Sequence, residues 1–206
     1  HAIGQLSGLA NLRTLDVKVY PETNAQADEA ALDFSTLADL NTLTLSGCSL
    51  RDADLASLAG LTRLEWLVLD GNFTEEGLWH LRNLPQVKML DIRGISFTSG
   101  EHLDELGGMT KLGDLHLHGR ITDAALSRLS GLPFLWSLSV KTDEPIRPET
   151  VAHLKESLPA IEYIHVDKPR RPIKPQAVRP SRRPRRSTTD PSRPNQRPRR
   201  DRRRRR

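Results

Sequence analysis

The chain has 206 residues, 31 of them Lys or Arg and 26 Asp or Glu, for a net charge of +5. Eighteen of the basic residues and two of the acidic ones fall in Lys168–Arg206, a net +16, which leaves 13 basic and 24 acidic residues, a net −11, before Lys168. The division predicts an acidic body at 1–167, long enough for one buried core, and a basic tail at 168–206. No stretch reaches the roughly 18–20 apolar residues that span a membrane as a helix. The single cysteine, Cys48, excludes an intramolecular disulfide framework and a Cys-rich zinc module.

In chain order, a pattern apolar-x-x-apolar-x-apolar occurs seven times. It begins as Leu12, Leu15, Val17 and returns as Leu40, Leu43, Leu45 and as Leu64, Leu67, Leu69. The next copies are Val87, Leu90, Ile92, then Leu112, Leu115, Leu117, then Leu135, Leu138, Val140, and finally Ile161, Ile164, Val166. First positions are spaced by 28, 24, 23, 25, 23 and 26 residues, a period that marks an internal repeat. Alternation as in Leu43-Thr44-Leu45 predicts a short strand with one face inward. A bulky apolar residue follows (Leu50, Phe73, Phe97, Ile121, Ile146), then apolar residues about three apart, as in Leu78, Leu81, Leu84 and Leu126, Leu129, Leu132. That spacing predicts a short α- or 3₁₀-helical stretch with one buried stripe. Thr74, Thr98 and Thr122 stand where a hydroxyl can cap each coming helix, and Pro148 suits a first helical position. Gly47, Gly71, Gly94 and Gly119 recur as turn glycines after the strands. One unit cannot cover its own leucines, so the units must stack and share a core.

The run LxxLxLxxCxL at Leu40–Leu50 resembles a leucine-rich repeat. The phrase ITDAALSRLSGLPFLWSLSV, Ile121 to Val140, is similar to the units of bacterial leucine-rich repeat proteins. The resemblance covers residues 1–167 and implies an α/β solenoid of six to seven repeats, with a curved parallel β ladder and short convex helices. It implies recognition of a protein partner, and it names none. Residues 20–30 depart from the pattern as an insertion, expected on the convex side. The chain opens at His1 in mid-unit, without a secretory signal, which predicts further repeats or a cap upstream.

In such a ladder the outward strand positions form three columns. The first is Thr14, Thr42, Trp66, Met89, Asp114, Ser137 and Tyr163; the second is Asp16, Thr44, Val68, Asp91, His116, Ser139 and His165. The third is Lys18, Ser46, Asp70, Arg93, His118, Lys141 and Asp167. The middle units carry an apolar centre of Trp66, Val68 and Met89, rimmed by Asp91, Arg93, Asp114, His116 and His118. An aromatic and Met centre with a charged rim is how protein-binding hot spots are built, so these eight residues are the expected partner-binding face. His116 and His118 with Asp91 and Asp114 are metal-ligand types, but side chains on a flat ladder need not converge on one ion, and neither a metal nor a cofactor is expected. Cys48 is read as a small inert thiol. A Gly-rich phosphate loop, G-x-S-x-G and H-E-x-x-H are all absent from the sequence, and the chain is read as no enzyme.

The tail has eight prolines and sixteen arginines and almost no large apolar residue, a composition that predicts disorder. Its basic clusters are Arg182, Arg183, Arg185, Arg186, Arg199, Arg200 and the run Arg202, Arg203, Arg204, Arg205, Arg206. Three readings compete for it: phosphate-directed binding of DNA or RNA, attraction to acidic lipids or proteins, and a spacer that docks on its own acidic body. Ser187 follows Arg-Arg-Pro-Arg-Arg, where phosphorylation would remove about 1.5–2 units of charge. The function expected of the whole is a non-catalytic protein-interaction scaffold with a basic electrostatic tail. The alternatives are a nucleic-acid-associated protein held by the tail and the recognition arm of a larger enzyme. A lone cysteine favours the cytoplasm without fixing the compartment.

Overall fold

A computed structural model describes Leu9 and residues 11–18, 33–47, 50–71 and 73–167. Seven strands form one sheet in strict chain order, every neighbouring pair parallel. They are β1 (Thr14–Lys18), β2 (Thr42–Ser46), β3 (Trp66–Asp70), β4 (Met89–Phe97), β5 (Asp114–Ile121), β6 (Ser137–Lys141) and β7 (Tyr163–Asp167). This is the curved, unclosed ladder of a leucine-rich repeat fold, and the expected solenoid is observed. The helical returns are short: α1 (Asp52–Ala56), α2 (Asp123–Leu126) and α3 (Pro148–Ser157), with 3₁₀ segments at Ser57–Gly60, Glu75–Asn83 and Leu103–Gly108. Their shortness follows from apolar residues three apart, which suit the 3.0-residue turn of a 3₁₀ helix.

Two backbone devices repeat with the period. Each unit enters its strand through an i→i+3 turn between apolar residues, as from Leu64 N–H to the Leu61 carbonyl and from Leu112 N–H to the Met109 carbonyl. The carbonyl before each strand then accepts from two successive amides of the next unit. Glu65 and Trp66 both donate to the Asn41 carbonyl, Gly113 and Asp114 to that of Lys88, and Glu162 and Tyr163 to that of Trp136. The leucines these turns aim inward form one continuous core from Phe34 to Leu158. Leu43, Leu67, Leu90, Leu115 and Leu138 lie along its floor, essentially without exposure. Each contributes about 1.5–3 kcal/mol by leaving water. Leu15 and Val17 at one end and Ile164 and Val166 at the other are half-buried.

A third device binds the helical margins. Asp52 accepts from the Thr74 amide (2.7 Å) and hydroxyl (2.8 Å) of the next unit. Glu75, nearly buried, accepts from the amides of Thr98, Ser99 and Gly100 and from the Ser99 hydroxyl. Asp123 accepts from the amide and guanidinium of Arg147 and from the Thr150 hydroxyl. Burial pushes the Asp123 carboxyl up, but the hydrogen bonds from Thr150 and Arg147 outweigh it and the net shift is downward. Carboxylates at the start of a helical stretch thus serve the following repeat.

Several expectations need correction. Thr74 and Thr122 do cap, accepting from Glu76 and Ala125. Thr98 does not: Glu75 captures its amide, and the 3₁₀ segment after it starts later, at Leu103. Gly71 is not among the glycines with positive φ, whereas Gly47, Gly94 and Gly119 are. Gly94 and Gly119 do not end their strands either, because β4 and β5 resume pairing past a register shift between Arg93 and Ile95. Pro148 does open α3. Cys48, residues 20–30 and the tail lie outside the described residues.

Candidate functional site

All three outward columns are aligned by the strand register. Trp66 pairs with Met89, Met89 with Asp114, Asp114 with Ser137, and Ser137 with Tyr163. Val68, Asp91 and His116 align in the second column, and Arg93 and His118 in the third. Trp66 stands 52% exposed, while Val68 and Met89 beside it are half-buried. The apolar centre is therefore one projecting indole with two lower neighbours.

The charged rim is internally paired. Asp91 is only 7% exposed, because the Arg93 guanidinium lies across its carboxylate, with Nε 3.1 Å from both oxygens. That pairing holds the Arg93 guanidinium above its usual basicity. His118 stands with Nε2 3.9 Å from Asp91, and burial pulls its imidazole below the usual histidine range. His116 Nε2 is 3.1 Å from Asp114 Oδ1, yet that oxygen is shut off from solvent and no group donates to it with hydrogen-bond geometry. The two imidazole centroids are 6.4 Å apart with planes tilted by 43°. Among the described residues, no three His, Cys, Asp or Glu side chains are grouped as a metal set would require. The site thus brings together Trp66, Val68 and Met89 as an apolar group and Asp91, Arg93 and His118 as a polar one. Asp114 and His116 lie between β4 and β6.

A second aromatic group was missed in the sequence. Phe134, Trp136 and Tyr163 are all exposed, and Trp136 meets Tyr163 edge-to-face at 6.1 Å. Trp136 immediately precedes β6 and lies over Gly113, where an added Cβ would stand 2.8 Å from its Nε1. Sequence order puts Trp136 before the strand and hence on no column; the signal is the glycine one repeat earlier. Trp79 is the other exposed tryptophan, and the Arg82 guanidinium covers its ring at 3.6 Å. The tail arginines, from Arg182 to Arg206, lie outside the described residues.

No family model matches the chain, and no curated protein matches it either. Among solved structures, the chain is similar to an internalin of Listeria monocytogenes. That likeness has a TM-score of 0.51 at 21% identity and covers 77% of this chain and 48% of the internalin chain. The chain therefore spans about half the length of that structure. At this identity the likeness bears on the fold, and it is to a second curved repeat solenoid. No helix among the described residues is long and apolar enough to cross a membrane.

Proposed function

We propose that this protein is a non-catalytic interaction scaffold that holds a protein partner on the outward face of its sheet, around Trp66, Met89, Asp114 and His116. The observation that carries this reading is Trp66 itself. A half-exposed indole in the middle of a rigid parallel ladder, with apolar neighbours and paired charges around it, is the composition of a binding hot spot. The paired Asp91, Arg93 and His118 supply the polar side of that face. The fold supports the same reading, since stacked repeats build extended surfaces for partners. The internalin likeness adds an architecture and no ligand.

The test is Trp66→Ala. Its melting curve should stay within about 0.5 kcal/mol of the parent, as for exposed positions, while a protein retained by the parent chain is lost. If Trp66→Ala retains every protein that the parent does, the face is not the binding surface.

The tail carries a second reading, because a net +16 over 39 residues attracts polyanions. Mixed-sequence DNA or RNA should bind 1–206 and not 1–167, with log affinity falling steeply with log salt. Equal binding by both forms, or none at about 0.15 M salt, rejects an electrostatic tether.

A further inference from the structure

The last five of the first outward positions, from Trp66 to Tyr163, have an aromatic ring at each end and a carboxylate in the middle. Trp66 and Tyr163 are the tall ends; Met89, Asp114 and Ser137 lie between them in register. Strands lie about 4.8 Å apart, so Trp66, Asp114 and Tyr163 are spaced at about 9.6 Å along the ladder. A polyproline II helix has three residues per turn and rises about 9.3 Å per turn. Its positions i, i+3 and i+6 share one face, with the pitch of this row. An extended β segment alternates its side chains every two residues, at about 6.7 Å, and falls out of step.

The chemistry along the row is also ordered. Both ends are rings against which proline or aliphatic side chains pack, and Trp136 braces the Tyr163 ring edge-to-face. Ser137 is short, which leaves a step between Asp114 and Tyr163. The neighbouring carboxylate Asp91 is consumed by Arg93. Asp114 is not: among the described residues its close partner is the imidazole of His116, 3.1 Å from Oδ1 and without hydrogen-bond geometry. Oδ1 is closed to solvent, so a basic side chain arriving there would pair with the carboxylate through Oδ2, on the part of the side chain that stays 27% exposed.

The geometry points to a proline-rich peptide in the polyproline II conformation as the occupant of this row, with apolar side chains at i and i+6 on Trp66 and Tyr163 and an Arg or Lys at i+3 on Asp114. This rests on the proposed binding face and adds the partner's chemistry to it. The probe is the peptide Leu-Pro-Pro-Arg-Pro-Pro-Leu, titrated against the full chain. Asp114→Asn should weaken it about fivefold, the value of one partly screened ion pair. Trp66→Ala and Tyr163→Ala should each weaken it at least about tenfold, as for hot-spot rings. Glu in place of the central Arg, or the Arg moved one position toward the N-terminus, should lose binding to a similar degree. Equal affinity of the parent and Asp114→Asn for the probe overturns the assignment of the basic residue.

A random heptapeptide display library, selected on the full chain with Trp66→Ala as counter-selection, separates the two levels. Enriched sequences with proline and a basic residue three positions from each apolar end support the inference. Sequences that need Trp66 but lack that spacing overturn it and leave the binding face standing. No Trp66-dependent sequence at all, with the probe also silent, overturns both.

Discussion

Glu75→Gln isolates the cradle between the third and fourth repeats. Glu75 Oε2 accepts from the Gly100 amide at 2.9 Å and the Ser99 hydroxyl at 2.9 Å, and Oε1 accepts from the Thr98 and Ser99 amides. Each oxygen therefore faces a backbone N–H. An amide offers one oxygen and one NH₂, so either orientation turns a donor toward a donor. Thr98 and Ser99 are exposed and can turn to water, but Gly100 is buried and its amide cannot. The amide therefore keeps its oxygen on Gly100 and turns its NH₂ to the Thr98 and Ser99 amides, and each charge-assisted hydrogen bond lost there is worth about 1.5–3 kcal/mol. Water recovers part of this at Thr98 and Ser99, so a cost of about 2–3 kcal/mol is expected although the two side chains have the same shape. Urea denaturation followed by far-UV circular dichroism gives the total, and amide exchange at residues 98–106 localises it. Glu75→Ala, which leaves the buried Gly100 amide with no acceptor, should cost more. A Glu75→Gln variant within about 0.5 kcal/mol of the parent would mean the cradle contributes nothing net.

Other expectations follow from the same geometry. Leu67→Asp puts a charge into a fully buried position and should cost more than about 4 kcal/mol, seen as loss of cooperative melting; an unchanged melting curve contradicts the register. At Gly119 an added Cβ would stand 2.0 Å from the Ile95 carbonyl oxygen with φ at +153°, so Gly119→Ala should lower the denaturation midpoint sharply. Gly60→Ala meets nothing within 4 Å and should be neutral or stabilising by up to about 1 kcal/mol in urea titration. His118 has a folded pKa below its unfolded value of about 6.5. Its contribution is therefore full above pH ~6.5 and declines as pH falls through the window below, where the unfolded chain binds the extra proton. His118→Gln should flatten the fall in stability below pH ~6.5, and an unaltered slope would show that burial of this imidazole is not felt.

The ladder was legible because its signal is redundant. One period fixes Leu43, Leu67, Leu90, Leu115 and Leu138 together, and a one-residue slip would turn all of them outward. The three outward columns followed with no independent information. What the period cannot encode is how side chains fold across one another. Asp91 and Asp70 look alike in sequence, yet Arg93 lies over Asp91 and removes it from solvent. Thr98 matches Thr74 and Thr122 in position, but the residue that decides its role is Glu75, one repeat away. Trp136 lies just before a column, where the period says nothing of it, since its partner is the empty space above Gly113. Gly94 reads as the end of a strand, while pairing resumes beyond it because Gly119 opposite admits the Ile95 carbonyl.

That resumed pairing has a mechanical consequence. β4 and β5 stay paired through Phe97 and Ile121, three pairs past the point where the flanking strands stop. Under load along the stacking direction, the junction with the most strand pairs should yield less than its neighbours. Strain would collect at the terminal strands and peel them first, in repeat-sized steps. The β4–β5 junction, which carries Met89 and Asp114, would give way last, while the ends of the ladder absorb the extension.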